Sequence, residues 1–245
     1  GKYATKVGVW LTYGSRHHLA KDAVTMADVF QENGYKTAIF GKWHLGDNYP
    51  FRPQDRGFDE AFIHGGGSVG ETPDYWGNDN YDDVYFRNGH PEKTAGYATD
   101  IWFDETIRFI DKNKHQPFFV YLPLNAVHSP LNVPLKYTQP YLNSPHISPR
   151  LAKFYGMLAN VDENLHRLRG TLSELGISDD TAILFLNDNG TGHGAKFKNV
   201  KGQRAGDGWE VGGYNAGLRG KKSSVFEGGH RAALFMHWPA GGMDE

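Results

Sequence analysis

The 245-residue sequence contains no cysteine. That absence excludes disulfides, thiolate metal sites and a cysteine nucleophile within these residues, and it carries no information on redox compartment. Long apolar runs are missing as well, since none approaches the roughly 18–20 residues of a membrane-spanning helix. Neither sign of charge is in excess. The 26 Lys and Arg against 28 Asp and Glu leave a formal net charge of −2. The chain therefore has no electrostatic footprint for nucleic acid and no basic block for an anionic membrane surface. There is no internal repeat and no flexible linker.

What remains suits a globular protein: 39% hydrophobic and 14% aromatic residues, in a chain long enough for one large domain or two small ones. Twelve histidines point to titratable or metal chemistry without locating it. The chain opens at GKYATKVGVW without a methionine and stops at HWPAGGMDE, directly after a strand-like run. Both ends read as cut from a longer protein, so the lack of a targeting segment says nothing about compartment.

Helical and strand signals alternate along the chain. TMADVFQENG (25–34) predicts a helix with Thr25 as N-cap, Gly34 as stop, and Met26, Val29 and Phe30 on its apolar side. The buried-strand pattern YKTAIFGK follows. Residues 47–100 are rich in Gly, Asp, Asn, Tyr and Pro; HGGGSVGETPDYWGNDNYDD (64–83) reads as a long excursion walling a site. ATDIWFDETIRFIDKN (98–113) predicts an amphipathic helix and QPFFVYLPL (116–124) a fully buried strand. Over 149–176, Leu151, Phe154, Leu158, Val161, Leu165, Leu168, Leu172 and Leu175 recur at helical spacing, with Gly176 as the stop. TAILFLNDNG (181–190) and ALFMHWP (233–239) predict two more strands. The alternation implies an α/β sandwich with a largely parallel central sheet between helices.

Such sheets bind ligands beyond the carboxyl ends of their strands. Three of the strands end in polar residues: Lys42 and His44 after TAIF, Asn125 and His128 after FFVYLPL, and Asp188 and Asn189 after AILFL. Each has an ordinary reading. The stretch NDNG forms an Asx-type turn as readily as half of a hard-cation site built from carboxylate and amide oxygens. His128, in AVHSPLNVP, is either a turn residue or a general acid that titrates near neutrality. Asn189-Gly190-Thr191 also fits a glycosylation pattern, an accident at the mouth of a strand. Two decoys fail. GLRGKKSSVFEGGHR (217–231) has Asn215 where a phosphate-binding loop needs its first glycine, and Lys222 where it needs Ser or Thr. Ser15, His17 and His18 are adjacent in sequence but lack the nucleophile elbow of a serine hydrolase.

Together these pieces resemble the sulfatase family of the alkaline-phosphatase superfamily. GKWHLG (41–46) is similar to that family's second signature. DRGFDEAF (55–62), the HSPL turn at His128, the DNG strand end and LRGKKSSVFEGGHR (218–231) follow in the expected order, so the likeness runs from Gly1 to about residue 240. The resemblance implies that Lys42 and Lys222 bind the sulfate oxygens, with Lys222 preferred to Lys221 because it stands five residues before Glu227. His44 would assist the nucleophile, His128 would protonate the leaving-group oxygen, and Asp188 and Asn189 would give two oxygens to a divalent ion, calcium by family habit. The implied substrate is a sulfate monoester, small molecule or oligosaccharide, with a sulfated carbohydrate favoured by the aromatic-rich YWGNDNYDDVYF (75–86). Those rings serve a core equally well. A periplasmic or secreted location is a family habit alone.

The departures matter too. The family's formylglycine arises from Cys or Ser in a C/S-x-P-x-R motif, which this sequence lacks. The resemblance puts that nucleophile upstream of Gly1, along with an earlier strand bearing two more metal-binding aspartates. Residues 1–245 then read as part of one sulfatase catalytic domain truncated at both ends, with the N-terminal strand missing and no turnover when isolated. Ser15-Arg16 lacks the motif's proline. A phosphoester or phosphonate-ester hydrolase of the same superfamily, and a non-catalytic anion- or glycan-binding relic, are the alternatives.

Overall fold

The computed structural model of the chain describes residues 4–9, 18–145, 147–192, 195–197, 209–211 and 215–243. Ser15, Arg16 and His17 lie outside them. The chain divides into two compact units, Gly1–Pro134 with Met157–Thr171, and Leu135–Gly156 with Leu172–Glu245.

The first unit is built on a five-stranded mixed sheet. Its strands are β1 (Lys36–Lys42), β2 (Glu60–His64), β3 (Val84–Arg87), β4 (His90–Lys93) and β5 (Phe118–Tyr121), in the order β4-β3-β2-β1-β5. β2, β1 and β5 run parallel, and β3 and β4 extend the sheet antiparallel. Asn88 and Gly89, both at positive φ, form the two-residue turn between β3 and β4, the conformation that an Asn-Gly pair favours.

Because side chains alternate along a strand, β1 feeds two cores. Ala38 and Phe40 join Phe62, Tyr85, Trp102 and Phe109 on one face, while Ile39 joins Ala27, Trp43, Phe58 and Ile63 on the other. The first face is covered by α2 (Ala98–Asn113), whose buried residues recur at three- and four-residue spacing through Trp102, Thr106 and Phe109. Helix α1 (Met26–Glu32) covers the second. Thr25 caps it through a reciprocal pair of bonds with Asp28, as its position before the helix predicts. The expected apolar side is corrected, however. Ala27 and Phe30 face the sheet, with Phe30 stacked on Phe119 at 4.3 Å, while Met26 and Val29 are exposed. A seven-residue helix seats one i, i+3 pair against a sheet, and those two residues lie off it.

Two further differences have physical reasons. β5 is half-buried rather than fully buried, because it pairs with β1 on one side alone among the described residues. Helix α3 is Leu135–Leu142, and in the long helix α4 (Pro149–Glu174) the buried stripe is not wholly apolar. Leu158 is exposed, whereas Asn160 and Asn164 are buried, each donating to the Asp100 carboxylate at 2.7 Å. A buried amide is tolerated when its hydrogen bonds are made. Just past the end of α4, Gly176 stands at φ +70 as the expected stop, with Ile177 N–H closing back on Leu172 O.

The second unit holds α3, the outer parts of α4, and the antiparallel pair β6 (Ile183–Leu186) and β9 (Leu234–His237). It also holds the short pair β7 (Ala195–Phe197) and β8 (Trp209–Val211), and α5 (Glu227–His230).

Candidate active site

In the first unit, the carboxyl ends of three neighbouring parallel strands deliver the polar side chains. The local sequence explains how GKWHLG is held. Gly41 lies where a Cβ would stand 2.3 Å from Pro123 O, and the Lys42 amide donates to that same carbonyl at 2.7 Å. Only glycine permits that approach, and its φ of +124 suits no other residue. Trp43 is the anchor: it is buried, with its indole N–H shared between Gly46 O at 3.0 Å and Phe51 O at 2.9 Å. Lys42 and His44, on either side of that anchor, are half-buried.

The register of β1 against β2 pairs Lys42 with His64. From His64 the chain enters the loop 64–68, HGGGS, which touches each of the other groups. Ser68 is buried, with its Oγ 3.2 Å from His128 Nδ1 and 2.5 Å from Ser129 O. At Gly67 a Cβ would lie 2.4 Å from His44 Cε1, so the loop backbone lies directly against that ring. Two carboxylates staple the loop: Asp47, on an exposed residue, accepts from the Gly66 amide, and the half-buried Asp74 accepts from those of Gly65 and Gly70. Burial pushes both carboxyls above the usual range, against the lowering effect of those amides.

His128 is held from a second direction. Its amide donates to Asn125 O at 2.8 Å, and the Asn125 side chain is buried, accepting from Trp102 Nε1 and donating to Asn80 Oδ1. Asn80 in turn donates to Pro130 O. This chain of amides ties the loop after β5 to the core beneath it.

His64 is fully buried. Its Nδ1 faces Gly65 O at 2.9 Å, a carbonyl that only accepts, so Nδ1 carries the hydrogen. Burial pushes this imidazole down to about 4; the Gly65 carbonyl opposes the shift, and the charges of Lys42 and His128 reinforce it. Between that value and the ordinary 6.5, the unfolded chain binds the extra proton. Stability should accordingly be intact above about pH 6.5 and fall as pH drops toward 4, by about 3 kcal/mol in all. Urea unfolding at pH 7 and pH 4.5 checks this. His64→Asn, which keeps a donor for Gly65 O but does not titrate, should flatten the dependence, and equal losses in both proteins would contradict the assignment.

The second unit gathers the other expected residues. Asp188 and Asn189 follow β6, and the loop 217–231 is bonded to the two residues after them: Gly190 N–H donates to Gly229 O at 3.0 Å, and Lys222 N–H to Thr191 O at 3.0 Å. A Cβ at Gly190 would fall 1.8 Å from Gly228 O, so only glycine fits there. Asp188, Asn189 and Lys222 thus belong to one unit, and Lys42, His44 and His128 to the other. Among the described residues no group of three His, Asp or Glu side chains is placed to hold a metal ion. Asp188 and Asn189 offer hard oxygen donors of the class that calcium prefers, but two do not fill its six to eight positions.

Sequence reasoning passed over His64, Ser68 and Gly67. Their signal was present in HGGGS, where three glycines between a histidine and a serine directly after an apolar strand mark a close backbone approach.

Parallel strands ending in a lysine and histidines define an α/β protein with a site suited to binding an anion and moving a proton. The chain belongs to the Sulfatase family, whose model matches residues 1–243. It is 31% identical to arylsulfatase J of Mus musculus over 90% of this chain and 35% of that protein. It is 28% identical to human N-acetylgalactosamine-6-sulfatase over 87% of this chain and 39% of the relative. The crystal structure of Ps i-CgsB in complex with k-i-k-neocarrahexaose superposes with a TM-score of 0.79 at 28% identity, covering 97% of this chain and 53% of that one. The chain therefore spans well under half the length of these two curated relatives. Its fold is the alkaline-phosphatase-like one of its structural neighbours, as the sequence motifs imply.

Proposed function

We propose that this chain supplies the sulfate-holding and proton-transferring residues of a sulfuric ester hydrolase acting on a sulfated carbohydrate. The observation that carries the reading is the convergence of Lys42, His44 and His128 on the loop 64–68 at the ends of parallel strands, in a chain of this family. In this reading Lys42 neutralises sulfate oxygens, as does Lys222. His44 stands beside the nucleophile. His128, as imidazolium, gives a proton to the departing ester oxygen, so a sugar leaves as its alcohol rather than as an alkoxide. The carbohydrate preference draws on relatives whose names record sugar ligands, N-acetylgalactosamine-6-sulfatase and the neocarrahexaose complex. By family resemblance the protein acts in the periplasm or outside the cell.

A formylglycine would supply the attacking oxygen and a divalent ion would polarise the sulfate. None of residues 1–245 forms the C/S-x-P-x-R motif, and the two oxygen donors of Asp188 and Asn189 do not by themselves make a calcium site. The nucleophile is assigned to residues outside 1–245.

The test is turnover by the protein expressed with all that its gene encodes on either side of this chain. 4-Nitrophenyl sulfate should be hydrolysed faster than 4-nitrophenyl phosphate, with galactosamine 6-sulfate as the sugar probe. The reverse order assigns a phosphoester hydrolase. No turnover of either, with retained binding of sulfated oligosaccharide, assigns a binding protein.

A further inference from the structure

We infer that Ser68 is a positioning residue which fixes the tautomer and ring orientation of His128. The inference rests on the reading of His128 as the proton donor, and it concerns which of its nitrogens does the donating.

Three atoms form a closed triangle. Ser68 Oγ is 2.5 Å from Ser129 O, His128 Nδ1 is 3.1 Å from the same carbonyl, and Oγ is 3.2 Å from Nδ1. Ser129 O has only lone pairs, so a hydroxyl at 2.5 Å must point its single hydrogen at it. Ser68 then has only lone pairs to offer His128. Both oxygens facing Nδ1 are therefore acceptors, and Nδ1 must carry hydrogen in the neutral ring as well as in the cation. The opposite tautomer would set the Nδ1 lone pair against two oxygens, or strip the proton from a 2.5 Å oxygen–oxygen contact. Either is repulsive in a partly buried site. The proton that comes and goes is consequently the one on Nε2. On donation, the Nε2–H bond breaks and its electron pair stays on nitrogen. The hydrogen bonds to the leaving oxygen, and the ring remains as the Nδ1–H imidazole that the triangle already holds.

Ser68 and His128 are carried on loops that follow different strands, β2 and β5. The serine thus sets the ring plane from outside the segment 125–130, in addition to the backbone carbonyl within it. This also explains a buried serine at the end of three glycines: the glycines allow the turn, and the hydroxyl gives it a purpose.

The test uses the full gene product labelled with ¹⁵N-histidine. Long-range ¹H–¹⁵N spectra report which ring nitrogen of His128 is protonated, and steady-state kinetics are measured alongside. The expected wild-type result is an Nδ1–H neutral tautomer. Ser68→Ala should move His128 toward the mixture of an unrestrained imidazole and lower kcat by about 10- to 100-fold, the scale of lost outer partners at active-site histidines, with KM little changed. Ser68→Thr, which keeps the hydroxyl, should restore both readouts and so separates positioning from a folding defect. An Nε2–H tautomer in the wild type, or ring shifts unmoved by Ser68→Ala, overturns the inference. A shifted tautomer with unchanged turnover upholds the positioning role and overturns the reading of His128 as the acid.

Discussion

His128→Ala should lower kcat for an unactivated sulfate ester by about 10²–10⁴-fold, the usual contribution of a positioned general acid. The size of the effect follows from how the ring is held. The Asn125 carbonyl fixes its backbone, the Trp102–Asn125–Asn80 chain fixes the loop, and the Ser68–Ser129 pair fixes the imidazole. In the proposed role, a side chain so constrained would deliver its proton with little reorganisation, and alanine would leave the departing oxygen to water. The substitution removes no core contact, since His128 is half-exposed in its loop, so the variant should fold normally. Steady-state rates on a sugar sulfate, with far-UV circular dichroism as the control, check both parts.

Lys42→Ala should lower kcat/KM by about 10²–10³-fold, comparable to the loss of one preorganised donor from an oxyanion site. The lysine's backbone is pinned to Pro123 O and flanked by Gly41 and Trp43, which hold it whether or not substrate is present. Arginine should rescue poorly, because a planar fork does not fit where a compact ammonium stood. The same variant has a second readout. Lys42 is one of the charges that depress His64, so its removal should raise the His64 value and lessen the loss of stability between pH 6.5 and 4. A large kinetic defect with an unchanged acid dependence would show that Lys42 and His64 are not coupled.

Much of this arrangement was legible in the residues. β1 and α2 declared themselves through burial pattern and 3.6-residue periodicity, and the polar residues just past the strands stood out because parallel sheets bind ligands there. GKWHLG in particular is readable as a lysine and a histidine around a tryptophan at a strand end; that the tryptophan is their buried anchor came from the structure. What escaped the sequence is what depends on three-dimensional neighbours. Met26 and Val29 are apolar yet exposed because helix α1 is too short to seat them. Asn160 and Asn164 are polar yet buried because Asp100, some 60 residues away in the chain, accepts from both. The partnership of Ser68 with His128 joins residues 60 apart, and no local pattern encodes it.

In the proposed reaction His128 protonates the leaving oxygen of a sulfate ester. Turnover of a series of aryl and alkyl sulfates of graded leaving-group basicity, compared between the wild type and His128→Ala, measures that proton transfer. The variant's deficit should grow steadily as the leaving group becomes more basic and nearly vanish for the most acidic phenol. A deficit of the same size across the series would contradict it.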